Sequence, residues 1–115
     1  MQIFSKRNKD ILIITLEGEL DHHHAKGVRQ ALDRMLEDTS IRYLVLDLSG
    51  LCFMDSSGIG VFIGRYKVIK KRDGQTCIAG VNSQLDKILE VSGLYNILKA
   101  YDNVEEAING IRGVA

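Results

Sequence analysis

The chain has 115 residues and a mass of 12.8 kDa, the size of one domain able to bury a single core without disulfides or a structural metal. Its 15 Lys and Arg balance 15 Asp and Glu, so no net field recommends a nucleic acid or an anionic membrane as partner. MQIFSKRNKD carries no apolar leader, and no run approaches the roughly 20 apolar residues of a membrane span, so the expectation is a single cytoplasmic domain over residues 1–115 with no membrane insertion.

QIFSK followed by the polar KRNKD and then ILIITLEG predicts an opening hairpin whose second strand, 11–18, is apolar on both parities and therefore covered on both faces. AKGVRQALDRMLED repeats apolar residues at helical spacing, with Ala25, Val28, Leu32, Met35 and Leu36 on one face; Asp21 precedes it as the expected N-cap. YLVLDLSGL, 43–51, reads as a buried strand that enters a turn at Ser49-Gly50. From Gly58 the spacing is helical again, with Ile59, Phe62, Ile63, Tyr66 and Ile69 on the expected buried face. Lys70, Lys71 and Arg72 then gather before Gly74, as at a helix C-terminus. TCIAGV predicts a further strand, NSQLDKILEVSG a helix capped by Asn82 or Ser83 and stopped at Gly93, YNILKAY a last strand, and NVEEAINGI a last helix. The order β-β-α-β-α-β-α-β-α implies a mixed, mainly parallel sheet with an antiparallel edge from the hairpin. Cys52 and Cys77 fall within apolar runs and are expected to be buried, reduced thiols.

The segment FMDSSGIG places Ser56 and Ser57 where the strand hands over to the helix. A serine at that junction reads first as a cap, and Ser56 or Ser57 is the expected N-cap, with Gly58 in the first turn. Two serines beside Asp55 exceed the needs of one cap. A helix N-terminus also offers unpaired N–H groups that favour a phosphate, which leaves phosphoryl acceptor and nucleophile as further readings. D-S-S-G lacks the first glycine of a nucleophile elbow, and spacing alone does not join Ser57 to a histidine and an aspartate. Gly58, Gly60 and Gly64 are one residue too long for a dinucleotide fingerprint; the later two are expected to permit close packing on the sheet. There is no phosphate-loop motif. His22, His23 and His24 are consecutive and project in different directions, so no metal site is expected of them.

GELDHHHA (18–25), YLVLDLSGLCFMDSSGIGVFIGRYK (43–67) and SGLYNIL (92–98) together resemble the STAS-domain anti-sigma factor antagonists, most closely the sporulation branch acting on sigma-F. The resemblance spans nearly the whole chain and is most specific in D-S-S-G-I-G. It implies an α/β, STAS-like single domain with about four helices packed mainly on one side of the sheet. It implies that Ser57 is the phosphorylated serine and that the anti-sigma factor is itself the serine kinase, using Mg-ATP, so the chain holds no cofactor tightly. The unphosphorylated form would bind that kinase and release the sigma factor, and a PP2C-type phosphatase would restore it. Asp21 maps to the family's aspartate beside the phosphorylation site, and Asp55, Ser56, Gly58 and Ile59 flank it as partner-binding or supporting residues. Phe53, Met54 and Ile59 are candidates for an apolar rim at the partner surface. Cys52, His24 and Gln84 depart from the residues common in the family. The alternatives are a STAS module of stress sigma factor control or of nucleotide sensing.

Overall fold

A computed structural model describes residues 1–113 of the chain. Strand β1 (Gln2–Asn8) turns at Lys9, whose positive φ of 56° reverses the chain into β2 (Ile11–Leu20). Helix α1 (His22–Met35), β3 (Tyr43–Met54), α2 (Ser56–Lys71), β4 (Gln75–Ala79), α3 (Ser83–Val91), β5 (Lys99–Tyr101) and α4 (Val104–Arg112) follow. The sheet order is β1-β2-β3-β4-β5, with β1 antiparallel to β2 and the remaining pairs parallel.

The two parities of the inner strands feed two cores, which is why β2 and β3 are apolar throughout. Leu12, Ile14, Leu44, Leu46 and Ile78 meet the buried faces of α1, α2 and α3. Ile11, Ile13, Val45, Cys77 and Ala79 turn the other way and are covered by α4 through Ala107. Three helices therefore lie on one face of the sheet and one on the other, in the mixed α/β architecture expected. Arg72 at the end of α2 ties the two longest helices together by donating to the carbonyls of Ile41 at 2.9 Å and Leu36 at 2.5 Å.

Four local expectations change. Strand β3 does not turn at Ser49-Gly50 but runs on to Met54. Asp47 accepts hydrogen bonds from the Ser49 N–H and hydroxyl at 3.1 and 2.8 Å, and the pairing with β2 shifts register at Thr15/Glu17 and Gly18/Glu19, so polar residues are absorbed as irregularities in a continuing strand. YNILKAY is a 3₁₀ turn (Leu94–Asn96) followed by a strand of only three residues, because Gly93 in the left-handed region (φ 80°) ends α3 and starts a tight turn around buried Leu94. The buried stripe of α2 is Gly58, Val61, Phe62, Arg65 and Ile69, while Ile59, Ile63 and Tyr66 lie half-buried at its margin. Arg65 is 9 % exposed and reaches Asp33 of α1 at 3.1 Å, its aliphatic stem lying where the helix meets the core. Cys52 is exposed, its thiol donating to the Gly18 carbonyl at 3.1 Å, whereas Cys77 is buried as expected.

Candidate functional site

The register of the parallel pair β2–β3 builds the site. Leu20 lies opposite Met54, so the next residue of each strand, Asp21 and Asp55, leaves the sheet at the same edge. Both adopt extended backbone and cap the helix that follows. Helices α1 and α2 thus start side by side. The Asp21 carboxylate accepts from the His24 N–H at 3.1 Å and from the His24 ring at 2.8 Å. Asp55 spans the two helices: Oδ1 accepts from the Ser57 N–H at 2.9 Å, and Oδ2 accepts from the His22 N–H at 3.0 Å. One carboxylate satisfies an otherwise unpaired donor on each helix. The N-cap of α2 is therefore Asp55, not a serine as expected, and both serines lie within the first turn. An ionised carboxylate is the stronger acceptor there, and capping with it leaves both hydroxyls uncommitted to the backbone.

Ser56 and Ser57 project about 100° apart around the helix. Ser56 is exposed, whereas Ser57 is half-buried with its Oγ 3.3 Å from His22 Nδ1 across the junction. Gly58 makes that approach possible: a Cβ there would lie 2.8 Å from the Leu20 carbonyl oxygen and 2.6 Å from Met54 Cγ. Gly60 and Gly64 have no such neighbour; their positions are open, contrary to the close packing expected of them. Ile59 is half-buried against the core. Met54 is only 2 % exposed and belongs to the core, so of the proposed rim Phe53, at 47 % exposed near the end of β3, is the residue that presents a broad apolar surface.

Between α1 and α2 runs a groove of about 390 Å³ whose polar lining is His22, Lys26, Arg29 and Ser57. Charge at the junction is divided, with the carboxylates of Asp21 and Asp55 at the helix starts and the cations one and two turns along α1. Partial burial alone would raise the Asp21 carboxyl, but hydrogen bonds from the His24 backbone and ring hold it below its ordinary value. Asp21 is thus an ionised cap for α1 engaged with His24, and no hydrogen bond joins it to Ser57. The group that meets the serine hydroxyl is His22, a contact not expected from the sequence. The positions 22, 26 and 29 follow i, i+4, i+7 spacing, the signal that would have placed them on one face. The three histidines diverge as expected, His22 toward Ser57 and His24 toward Asp21. Asp55 holds the backbone of His22 rather than its ring, so Ser57, His22 and Asp55 do not form the relay of a hydrolase.

A STAS domain family model matches residues 2–107. The anti-sigma F factor antagonist of Paenibacillus polymyxa is 38% identical over 115 residues, covering 100% of this chain and 98% of its own. The anti-sigma-B factor antagonist of Listeria monocytogenes is 33% identical, covering 91% of this chain and 90% of its own. Among solved structures, the unphosphorylated anti-sigma factor antagonist SpoIIAA superposes with a TM-score of 0.77 at 25% identity over 98% of this chain and 100% of its own. The phosphorylated form of SpoIIAA from Bacillus gives 0.75 at 26%, covering 96% and 99%. With the family model spanning nearly all of its sheet and helices, and with relatives of matching length, the chain belongs to the STAS-domain family, among the anti-sigma factor antagonists.

Proposed function

We infer that this protein is a phosphorylation-switched regulator of a sigma factor, with Ser57 as the switch. The observation that carries the reading is the Ser57 hydroxyl, uncommitted to capping and half-buried at the start of α2 beside His22. That SpoIIAA has been solved in phosphorylated and unphosphorylated forms supports it. The protein is a cytoplasmic binding protein rather than an enzyme. Its unphosphorylated form docks on an anti-sigma factor that is also a serine kinase, and the sigma factor is released. The kinase brings Mg-ATP. Transfer forms the Ser57 Oγ–Pγ bond and breaks the bond from Pγ to the oxygen bridging it to Pβ; ADP leaves and the serine proton is released. A PP2C-type phosphatase hydrolyses the ester and returns the active form. The higher identity to the Paenibacillus relative favours the sporulation factor sigma-F over the stress factor sigma-B as the sigma factor served.

The physical switch is electrostatic. A phosphate monoester adds a charge of about −1.5 to −2. It arises where the Asp21 and Asp55 side chains already cap the two helices, close in sequence to the exposed Phe53. A close-fitting partner would have to desolvate the new charge next to those carboxylates, so docking fails without refolding. The helix N-termini meanwhile stabilise the anion in the free protein. Binding to the anti-sigma factor, measured by calorimetry with Ser57→Ala and Ser57→Asp, tests this. The alanine variant binds as the wild type does and the aspartate variant binds far more weakly; equally tight binding by both contradicts the electrostatic account.

A further inference from the structure

The divided charge at the junction bears on where a phosphate on Ser57 would go. Lys26 and Arg29 line the same groove as the Ser57 hydroxyl, on the face of α1 that continues from His22. Neither takes part in an ion pair among the described residues, although the other helix-to-helix cation, Arg65, is matched with Asp33. The room is real as well. Gly60, one turn after Ser57 on α2, also lines the groove, and a Cβ there would meet nothing within 4 Å. The lining of the groove thus holds two cations and no carboxylate, whereas Asp21 and Asp55 stand at the helix starts outside it.

We propose that the groove between α1 and α2 is a phosphoserine cradle: the phosphoryl group of Ser57 turns away from Asp55 and is held within the same chain by His22, Lys26 and Arg29. His22 Nδ1, already 3.3 Å from Oγ, is within reach of a phosphoryl oxygen attached there. Arg29 offers a planar fork of donors and Lys26 a flexible point charge. The cradle rests on the reading of Ser57 as the modified residue and extends it. Phosphorylation would then do two things to the surface, adding negative charge and neutralising the cations of α1, and the modified serine would be drawn toward its own helix rather than left in solvent.

The test is a ³¹P NMR titration of full-length protein in which phosphoserine is installed at position 57 by genetic encoding. The ester is then present whether or not any kinase acts on this chain, and a failure of the cradle is separable from a failure of the switch. Failure of an anti-sigma kinase to modify Ser57 counts against the switch alone. A free phosphoserine ester loses its second proton near a pKa of about 6. Two cations brought to about 4 Å from the phosphate in water would lower that value by roughly 1.5 units. The cradle predicts that Lys26→Gln with Arg29→Gln raises the titration midpoint by roughly 1.5 units relative to the unsubstituted phosphoprotein, and that Lys26→Arg restores most of the shift lost in Lys26→Gln. Both positions are exposed, so the fold is unaffected. Coincident titrations of the wild type and the double variant would overturn the proposal.

Discussion

Substituting Gly58 by alanine tests how tightly the start of α2 is fitted to the sheet. The added methyl would lie 2.6 Å from Met54 Cγ, 2.8 Å from the Leu20 carbonyl oxygen and 2.9 Å from Leu20 Cγ. Two of these atoms belong to side chains that can turn, but the Leu20 oxygen is main chain of a central strand and also accepts the Asp55 N–H at 3.4 Å. Overpacking of this kind costs about 1–3 kcal/mol, and the immobile oxygen argues for the upper end. Alanine recovers about 1 kcal/mol of helix propensity over glycine, which leaves a net loss of about 2 kcal/mol. Gly64→Ala is the matched control on the same helix: nothing lies within 4 Å of its Cβ, so only the propensity gain of about 1 kcal/mol remains. Urea denaturation of the two variants against wild type reads both signs. Gly58→Ala unfolds at lower urea and Gly64→Ala at higher. Equal stability of the two would refute the argument that a close approach of α2 to the end of β2 fixes the site.

Three further outcomes follow from the same geometry. Asp55→Ala removes acceptors for the Ser57 and His22 N–H groups, and chemical denaturation should show a loss of about 1–2 kcal/mol, most of it regained in Asp55→Asn. Hydrogen bonds from Ser40 and Arg7 hold the Asp38 carboxyl well below its ordinary value, and Asp21 is lowered as well. The folded state therefore binds fewer protons than the unfolded chain, whose carboxyls titrate near 3.8. This stabilisation is fully present above that pH and is lost progressively as pH falls from there through the lower folded-state values, and Asp38→Asn should flatten the acid limb of a stability–pH curve. Burial pushes the Cys77 thiol up to about 11 while Cys52 is exposed, so a thiol reagent at neutral pH should modify one cysteine in the native protein and the second only on unfolding.

The strands and helices were legible where one physical signal dominated. Apolar residues on both parities of 11–16 and 43–48 could only be satisfied by cover on both faces, and helices on both faces supply it. Asp21 and Asn82 behave as the caps expected, since short polar side chains before an apolar period have few other roles. The failures arose where local signals compete. Asp47, Ser49 and Gly50 look like a turn locally, but β2 alongside keeps the strand going, and their polar groups are satisfied within it. Asp55 outcompetes the serines as cap because the neighbouring helix gives it a second donor, which no reading of one segment contains. Arg65 lies on the buried side because its long stem packs while its head reaches an aspartate on α1. The pairing of His22 with Ser57 depends on the register of β2 against β3, and no spacing within either segment encodes it.

The central claim is that Ser57 is the switch, and site-localised intact mass spectrometry after incubation with a partner anti-sigma factor kinase and Mg-ATP tests it most directly. The account predicts one added phosphoryl group, located on Ser57 and absent from Ser57→Ala, with Ser56→Ala modified as the wild type is. Modification of Ser56 instead, or none at all while the same kinase phosphorylates a control antagonist, would contradict it.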